Sequence, residues 1–143
     1  MEGPGLILLI DVPQYRREIN ASQARQEVYQ KLLDNDVRAL VDELYGNGAK
    51  AISINDYRLL VYSTIRKVGN SIQVNTHPVA LPFEIRIIGD ADTLLAALQV
   101  SDIPNVFREI GLEITPEKKE RVIVPPYQEK QNIQYMKRLK ESE

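Results

Sequence analysis

Cysteine is absent from the 143 residues, which excludes disulfides, zinc–thiolate sites and a cysteine nucleophile. The single histidine, His77, leaves almost no material for a His-rich metal site or a Ser-His-Asp triad. No apolar run approaches the ~18 residues that a membrane-spanning helix needs. The longest, residues 6–10, lacks the basic flank of a signal peptide. Charge of one sign is missing too. Lys and Arg number 18 against 20 Asp and Glu, a net charge of −2, without the basic excess of a phosphate-tracking protein. Nucleic acid is therefore not expected as a partner, and the composition points away from an enzyme. What is present is ordinary for one soluble α/β domain: 43% hydrophobic and 27% charged residues. A chain of this length buries roughly two-thirds of its unfolded surface without staples.

Gly3-Pro4-Gly5 reads as turn chemistry ahead of Leu6-Ile7-Leu8-Leu9-Ile10, a strand expected at the sheet centre, buried on both faces and ended by Asp11 and Pro13. Over residues 14–33, Ala21, Ala24, Val28 and Leu32 recur at helical spacing after an Asn20 or Ser22 cap, in a span polar enough to be a loop. The helical pattern is clearest at Val37, Leu40, Val41 and Leu44, with Asp34 or Asn35 as cap and Gly46-Asn47-Gly48 at the end. Residues 51–55 alternate as a strand turned by Asp56-Tyr57, and residues 63–68 and 71–74 form a hairpin around Gly69-Asn70. Phe83, Ile85 and Ile87 alternate with Glu84 and Arg86 up to Gly89. A helix with Leu94, Leu95, Ala97 and Leu98 follows, capped by Asp90 or Asp92, and then a second one between Asp102 and Gly111 with Pro104 in its first turn. Residues 112–114 and 121–124 are two candidate strands around a charged segment, and Pro125-Pro126 ends the second. The order β-α-β-β-β-α-β predicts an α+β fold: a mainly antiparallel sheet with helices on one face, a ferredoxin-like (split β-α-β) relative with an added hairpin. Residues 1–127 form the domain, and 128–143 a polar tail able to dock as a helix.

Few residues point to chemistry. Gly46 and Gly48 end a helix rather than opening one, so plain capping outweighs a phosphate loop. Asp34-Asn35-Asp36 begins like a calcium loop, but Ala39 and Tyr45 stand where glycine and glutamate are required. His77, beside Pro78, has no local nucleophile to serve and reads as a turn or surface residue, and the Asn20-Ala21-Ser22 sequon is expected by chance alone. Arg66 and Arg86 can place two guanidinium forks on one sheet face and hold a carboxylate or phosphate, though facing water or pairing with Glu84 is the simpler reading. The mildly basic end, Lys118, Lys119, Arg121, Lys130, Lys137, Arg138 and Lys140, reads as a solvated segment.

One set of segments fits a known pattern. It includes Gly3-Pro4-Gly5-Leu6, Leu40-Val41-Asp42-Glu43-Leu44, Gly48-Ala49, Ala51-Ile52-Ser53-Ile54-Asn55, Ser63-Thr64-Ile65-Arg66 and Ile72-Gln73-Val74-Asn75. Pro78, Pro82-Phe83, Ile88-Gly89-Asp90, Leu94, Ala97-Leu98, Val122-Ile123-Val124-Pro125 and Tyr127 complete it. Together these resemble the bacterial DUF881 family of YlxW/YlxX-like proteins, over nearly the whole chain. The resemblance implies a parent with an N-terminal transmembrane helix and a coiled coil before this domain, which is carried on the extracytoplasmic side of the membrane. It also implies a link to cell division, because some members are labelled division initiation proteins. This sequence departs from the family at Asp56, where glycine is usual, at Lys67, where cysteine is common, and at Asn75-Thr76, where Asn-Gly is frequent. Such tolerance argues for a fold signature rather than a catalytic apparatus.

The expected function is that of a non-enzymatic protein-interaction domain of an envelope- or division-associated protein, with protein partners or a second copy, no metal and no cofactor. A small-ligand regulatory module is the alternative. The candidate binding face comprises Asn55, Arg58, Ser63, Arg66 and Asn75, polar groups unusual on a face that serves solubility alone.

Overall fold

Period-two apolar spacing builds the strands and period-3.6 spacing the helices, and the two meet in one core. The computed structural model describes residues 1–60 and 63–126. In chain order the elements are β1 (Glu2–Asp11), α1 (Gln14–Lys31), α2 (Asp34–Gly46), β2 (Ala51–Ile54), β3 (Tyr57–Leu59), β4 (Ile65–Val68), β5 (Ser71–Val74) and β6 (His77–Val79). They continue with β7 (Phe83–Ile88), α3 (Ala91–Val100), α4 (Ile103–Ile110) and β8 (Glu113–Ile123). The five-stranded sheet has the order β3-β2-β7-β1-β8, and β4-β5-β6 make a second sheet. Every pairing is antiparallel. β1 and β2 therefore run parallel with β7 between them, joined by a helical crossover through α1 and α2. The α+β class with an antiparallel sheet is as the sequence predicts.

One face of the large sheet carries Leu6, Leu8, Ile10, Ile52, Ile54, Phe83, Ile85 and Ile87, which pack with Val28, Leu40, Leu44, Leu94, Leu98 and Phe107 of the helices. Ile65, Ile72, Val74 and Val79 of the small sheet close the same core. Of the predicted stripe Ala24, Val28 and Leu32 are buried and Ala21 is only half-buried, and α1 is kinked where Asn20 takes φ −161° and ψ 92°. The Asn20 carboxamide oxygen accepts the Gln23 amide at 3.1 Å, so Asn20 caps the second half of the helix.

Several expectations need correction. Gly3-Pro4-Gly5 is not a turn before β1 but an irregularity within it, where the β1–β8 register shifts between Gly3 and Gly5. A Cβ on Gly5 would lie 1.8 Å from the Ile87 carbonyl oxygen, so only glycine permits this approach of two backbones. Beyond the shift Met1 pairs with Val124, and Val122 and Val124 pack on Ala51, Ile88 and Ile7 across the face opposite the helices. β1 is central, yet Leu9 is 42% exposed, so it is not buried on both faces.

Residues 112–114 and 121–124 belong to one strand, β8, because the charged residues between them face solvent while their backbone still pairs with β1. β3 and β6 went unread, each being three residues long behind a turn. His77 lies in β6 and is stacked on Tyr57, with ring centroids 4.5 Å apart. Neither Asp34 nor Asn35 caps α2. Leu33 is the N-cap residue, and the Asp36 carboxylate accepts its amide at 2.9 Å. Asp34 instead accepts the Lys67 amide at 3.2 Å, while Arg38 donates to the Ile65 carbonyl, so α2 occupies the outer edge of β4. Asp90 caps α3, and Gly111 ends α4 at φ 107°. The tail predicted over residues 128–143 lies outside the described residues.

Candidate functional site

Two regions gather polar side chains: the paired turns that hold the candidate face, and a cleft at one end of the large sheet. Asn55-Asp56 and Asn75-Thr76 each join two short strands, with φ of 47°, 72°, 51° and 72° in that order. Positive φ at both central positions is the geometry of a type I′ hairpin. Asn55 is fully engaged: its amide donates to the Glu84 carbonyl at 3.0 Å, its Nδ2 to the Ala80 carbonyl at 2.9 Å, and its Oδ1 accepts the Glu84 amide at 2.7 Å. Asn75 accepts the Thr64 amide at 3.2 Å and reaches the Arg58 carbonyl and Ser63 Oγ with Nδ2, at 3.4 and 3.5 Å. Ser63 Oγ accepts the Leu60 amide at 2.6 Å.

Arg58, Ser63 and Asn75 are therefore brought together, and these contacts with the Tyr57–His77 stack tie the two sheets to each other. Arg66 stands apart, exposed on β4 opposite Gln73. Arg66 and Arg86 do not share a sheet face, because β4 and β7 belong to different sheets. Arg86 pairs with Glu84 at 2.7 Å and Asp56 at 3.6 Å, as the simpler reading had it.

The arginine that shares a sheet face with Arg86 is Arg58, with Ser53 between them. Ser53 sits opposite both in the strand registers, giving a row Arg58–Ser53–Arg86 across the sheet. Ser53 is fully buried, against the outward position its alternation predicts, and among the described residues its Oγ and the Arg58 Nε have no hydrogen-bond partner. The row is closed at Ser53, while the Arg86 side chain remains 34% exposed at its other end. No short window of sequence contains this row, because strand order and register assemble it.

The cleft is the larger feature, with a volume of about 460 Å³. Pro4, Ile88, Gly89, Lys50 and Glu120 are among the residues that line it. Its remaining charges are already committed. Asp90 accepts the Asp92 amide at 3.2 Å and the Thr93 hydroxyl at 2.9 Å, and these bonds hold its carboxyl below the usual range. Asp92 pairs with Lys118 at 3.1 Å, and Lys119 with Glu117 at 2.8 Å. Sequence read each lining segment singly, as a turn, a cap and a charged surface. The signal it carried was the lack of side-chain bulk at Pro4 and Gly89, which lie far apart in the chain. Among the described residues no group of three or more His, Asp or Glu is placed to hold a metal ion, and no helix is long and apolar enough to cross a membrane.

Comparison with known proteins places this geometry in a family. A family model described as "Bacterial protein of unknown function (DUF881)" matches residues 1–137. UPF0749 protein Rv1823 of Mycobacterium tuberculosis is 33% identical over 89 residues, 61% of this chain and 29% of that protein. UPF0749 protein YlxW of Bacillus subtilis is 28% identical over 96 residues, covering 65% and 41%. UPF0749 protein Rv1825 of Mycobacterium tuberculosis is 28% identical over 143 residues, covering 96% and 44%. The chain thus spans less than half the length of the curated relatives it matches. A crystal structure of an uncharacterised conserved protein from Mycobacterium tuberculosis superposes with a TM-score of 0.73 at 25% identity, over 90% of this chain and 83% of that one. By the extent of the family match, this chain belongs to the DUF881 family of bacterial proteins of unknown function.

Proposed function

We propose that this chain is a non-enzymatic protein-interaction domain of a longer, membrane-anchored bacterial protein that works at the envelope in cell division. The supporting observation is an apolar surface that the fold leaves unused. The first half of α1 contributes no buried residue, yet presents Tyr15 and Ile19, 66% and 83% exposed, one helical turn apart. Asn55, Ser63 and Asn75 of the candidate face act instead as turn fasteners, which suits a rigid module better than a reactive one. Partners are other proteins or a second copy. Nucleic acid is not among them, and membrane attachment comes through an anchor in the parent.

Analytical ultracentrifugation with in-cell cross-linking tests this. Weak self-association that Tyr15→Ser and Ile19→Ser together abolish, or cross-links to division or cell-wall proteins, is the expected result. A strictly monomeric domain that cross-links to no envelope protein would overturn it.

The cleft favours a second reading, a small-ligand regulatory module, because about 460 Å³ lies within the usual range of ligand sites. A ligand at a hundred times its Kd would raise stability by about 2.7 kcal/mol. A metabolite screen that leaves the melting temperature unmoved would remove this reading.

A further inference from the structure

We propose that the cleft between Lys50 and Glu120 is a site for a zwitterionic molecule, an amino acid or short peptide with a free amine and a free carboxylate. This rests on the small-ligand reading. Ala51 and Gly5 both pair with Ile88, so one step along the same registers sets Lys50 beside Gly89 and Gly89 beside Pro4. Backbone bonds from Lys50 to Ile88 at 2.7 Å and from Gly89 to Pro4 at 2.9 Å fix that row. Because the β1–β8 register shifts between Gly3 and Gly5, Pro4 faces Glu120 and Arg121. The row therefore reads Lys50, Gly89, Pro4, Glu120: a cation, two residues with little or no side chain, and a carboxylate.

This order makes a trough with charged ends. Three strand spacings of about 4.8 Å separate its walls at the backbone. The two side chains shorten that span to one suited to a molecule of one or two residues, since a dipeptide extends about 7 Å. Ile88, Pro4 and Ala91 offer the ligand's body an apolar surface. Among the described residues, neither Lys50 Nζ nor the Glu120 carboxylate has a hydrogen-bond or ion-pair partner, whereas Lys118, Lys119, Asp90 and Asp92 are all engaged. The charged groups left without any hydrogen-bond or ion-pair partner are thus one of each sign, at the two ends of the row. A simple anion would satisfy Lys50 and leave Glu120 facing like charge, and a zwitterion satisfies both.

Titration of the ¹⁵N-labelled chain with L-alanyl-L-alanine is the test, with N-acetyl-L-alanyl-L-alanine, L-alanyl-L-alanine amide and inorganic phosphate in parallel. Saturable shifts of the Lys50, Gly89 and Glu120 amides are expected with the free dipeptide, and binding about fivefold weaker when either end is blocked. Lys50→Met should erase the preference for a free carboxylate and Glu120→Gln that for a free amine. Both side chains are on the surface, and an unchanged melting temperature would confirm that the fold is retained. Absence of saturable shifts with the dipeptide, or equal binding of the blocked forms, would overturn the proposal. Phosphate alone shifting these amides would overturn the zwitterion while keeping the small-ligand reading. Silence from all four probes at these amides would overturn the site.

Discussion

The carboxylate of Asp11 is gripped by the fork of Arg25, with Nε 3.0 Å from one oxygen and Nη2 2.8 Å from the other. Arg17 adds a third bond at 3.1 Å from the other half of α1, and the Val12 amide a fourth at 2.8 Å. One carboxylate at the end of β1 thereby pins both arms of a kinked helix. Burial pushes the Asp11 carboxyl up, but the Arg25, Val12 and Arg17 bonds more than offset it and leave it below its usual range. A folded-state value below the unfolded one means the unfolded chain binds the extra proton. The stabilisation is then complete above the ordinary carboxylate range and is lost as pH falls through the depressed folded value. Asp11→Asn should cost about 2 kcal/mol near neutrality and flatten the acid limb of stability. Urea unfolding of both forms, near neutral pH and in acid, measures this. An equal loss at both would deny the ionic role.

Glycine is expected to matter at Gly5 and not at Gly46. Gly5→Ala drives a methyl group into the Ile87 carbonyl and should cost on the order of 4 kcal/mol. Gly46 lies at the end of α2 with nothing within 4 Å of a Cβ, so Gly46→Ala should be neutral or stabilising by about 0.5 kcal/mol. Paired thermal melts decide it, and similar losses would refute the close-approach argument.

Thr76 carries a β-branched side chain at φ 72°, and Asp56 has the same φ. The family resemblance puts glycine at both places. Thr76→Gly should therefore stabilise the chain by about 1 kcal/mol through relief of left-handed strain. Asp56→Gly should yield less, because the 3.6 Å contact with Arg86 goes with it. A lower melting temperature for Thr76→Gly would contradict the strain.

The outer edge of β8 is the longest unpaired strand edge among the described residues, and it carries Pro116 and a run of charges from Glu117 to Arg121. Proline and lysine there discourage another strand from adding. Replacing Pro116, Lys118 and Lys119 together by Val should produce concentration-dependent association in size-exclusion chromatography. A variant that associates no more than the unmodified chain would mean the charges do not guard this edge.

Much of the fold was legible because local chemistry dictates it. The stripe Val37, Leu40, Val41 and Leu44 is buried on α2, Asp90 caps α3, and the Gly69-Asn70 hairpin joins β4 to β5. Each depends on residues within one or two turns of chain. The three-residue strands β3 and β6 lacked the length to show a period, and β8 was split by charges that disguise a paired backbone. The candidate face was legible as residue types but not as roles: Asn55 and Asn75 stand out as polar, and only the turn geometry makes them fasteners.

By itself, then, the sequence determined the longer helices and strands, the α+β class, the family and the absence of cysteine chemistry, since periodicity, capping and composition are local or additive. Tertiary structure alone decided that Arg58 rather than Arg66 shares a sheet face with Arg86, that Ser53 is buried, and that the strand register sets Lys50, Gly89, Pro4 and Glu120 in one row beside the cleft. Those relations depend on strand order and register across long stretches of chain. Such pairings are selected by how the whole core packs, and no short window of sequence contains them.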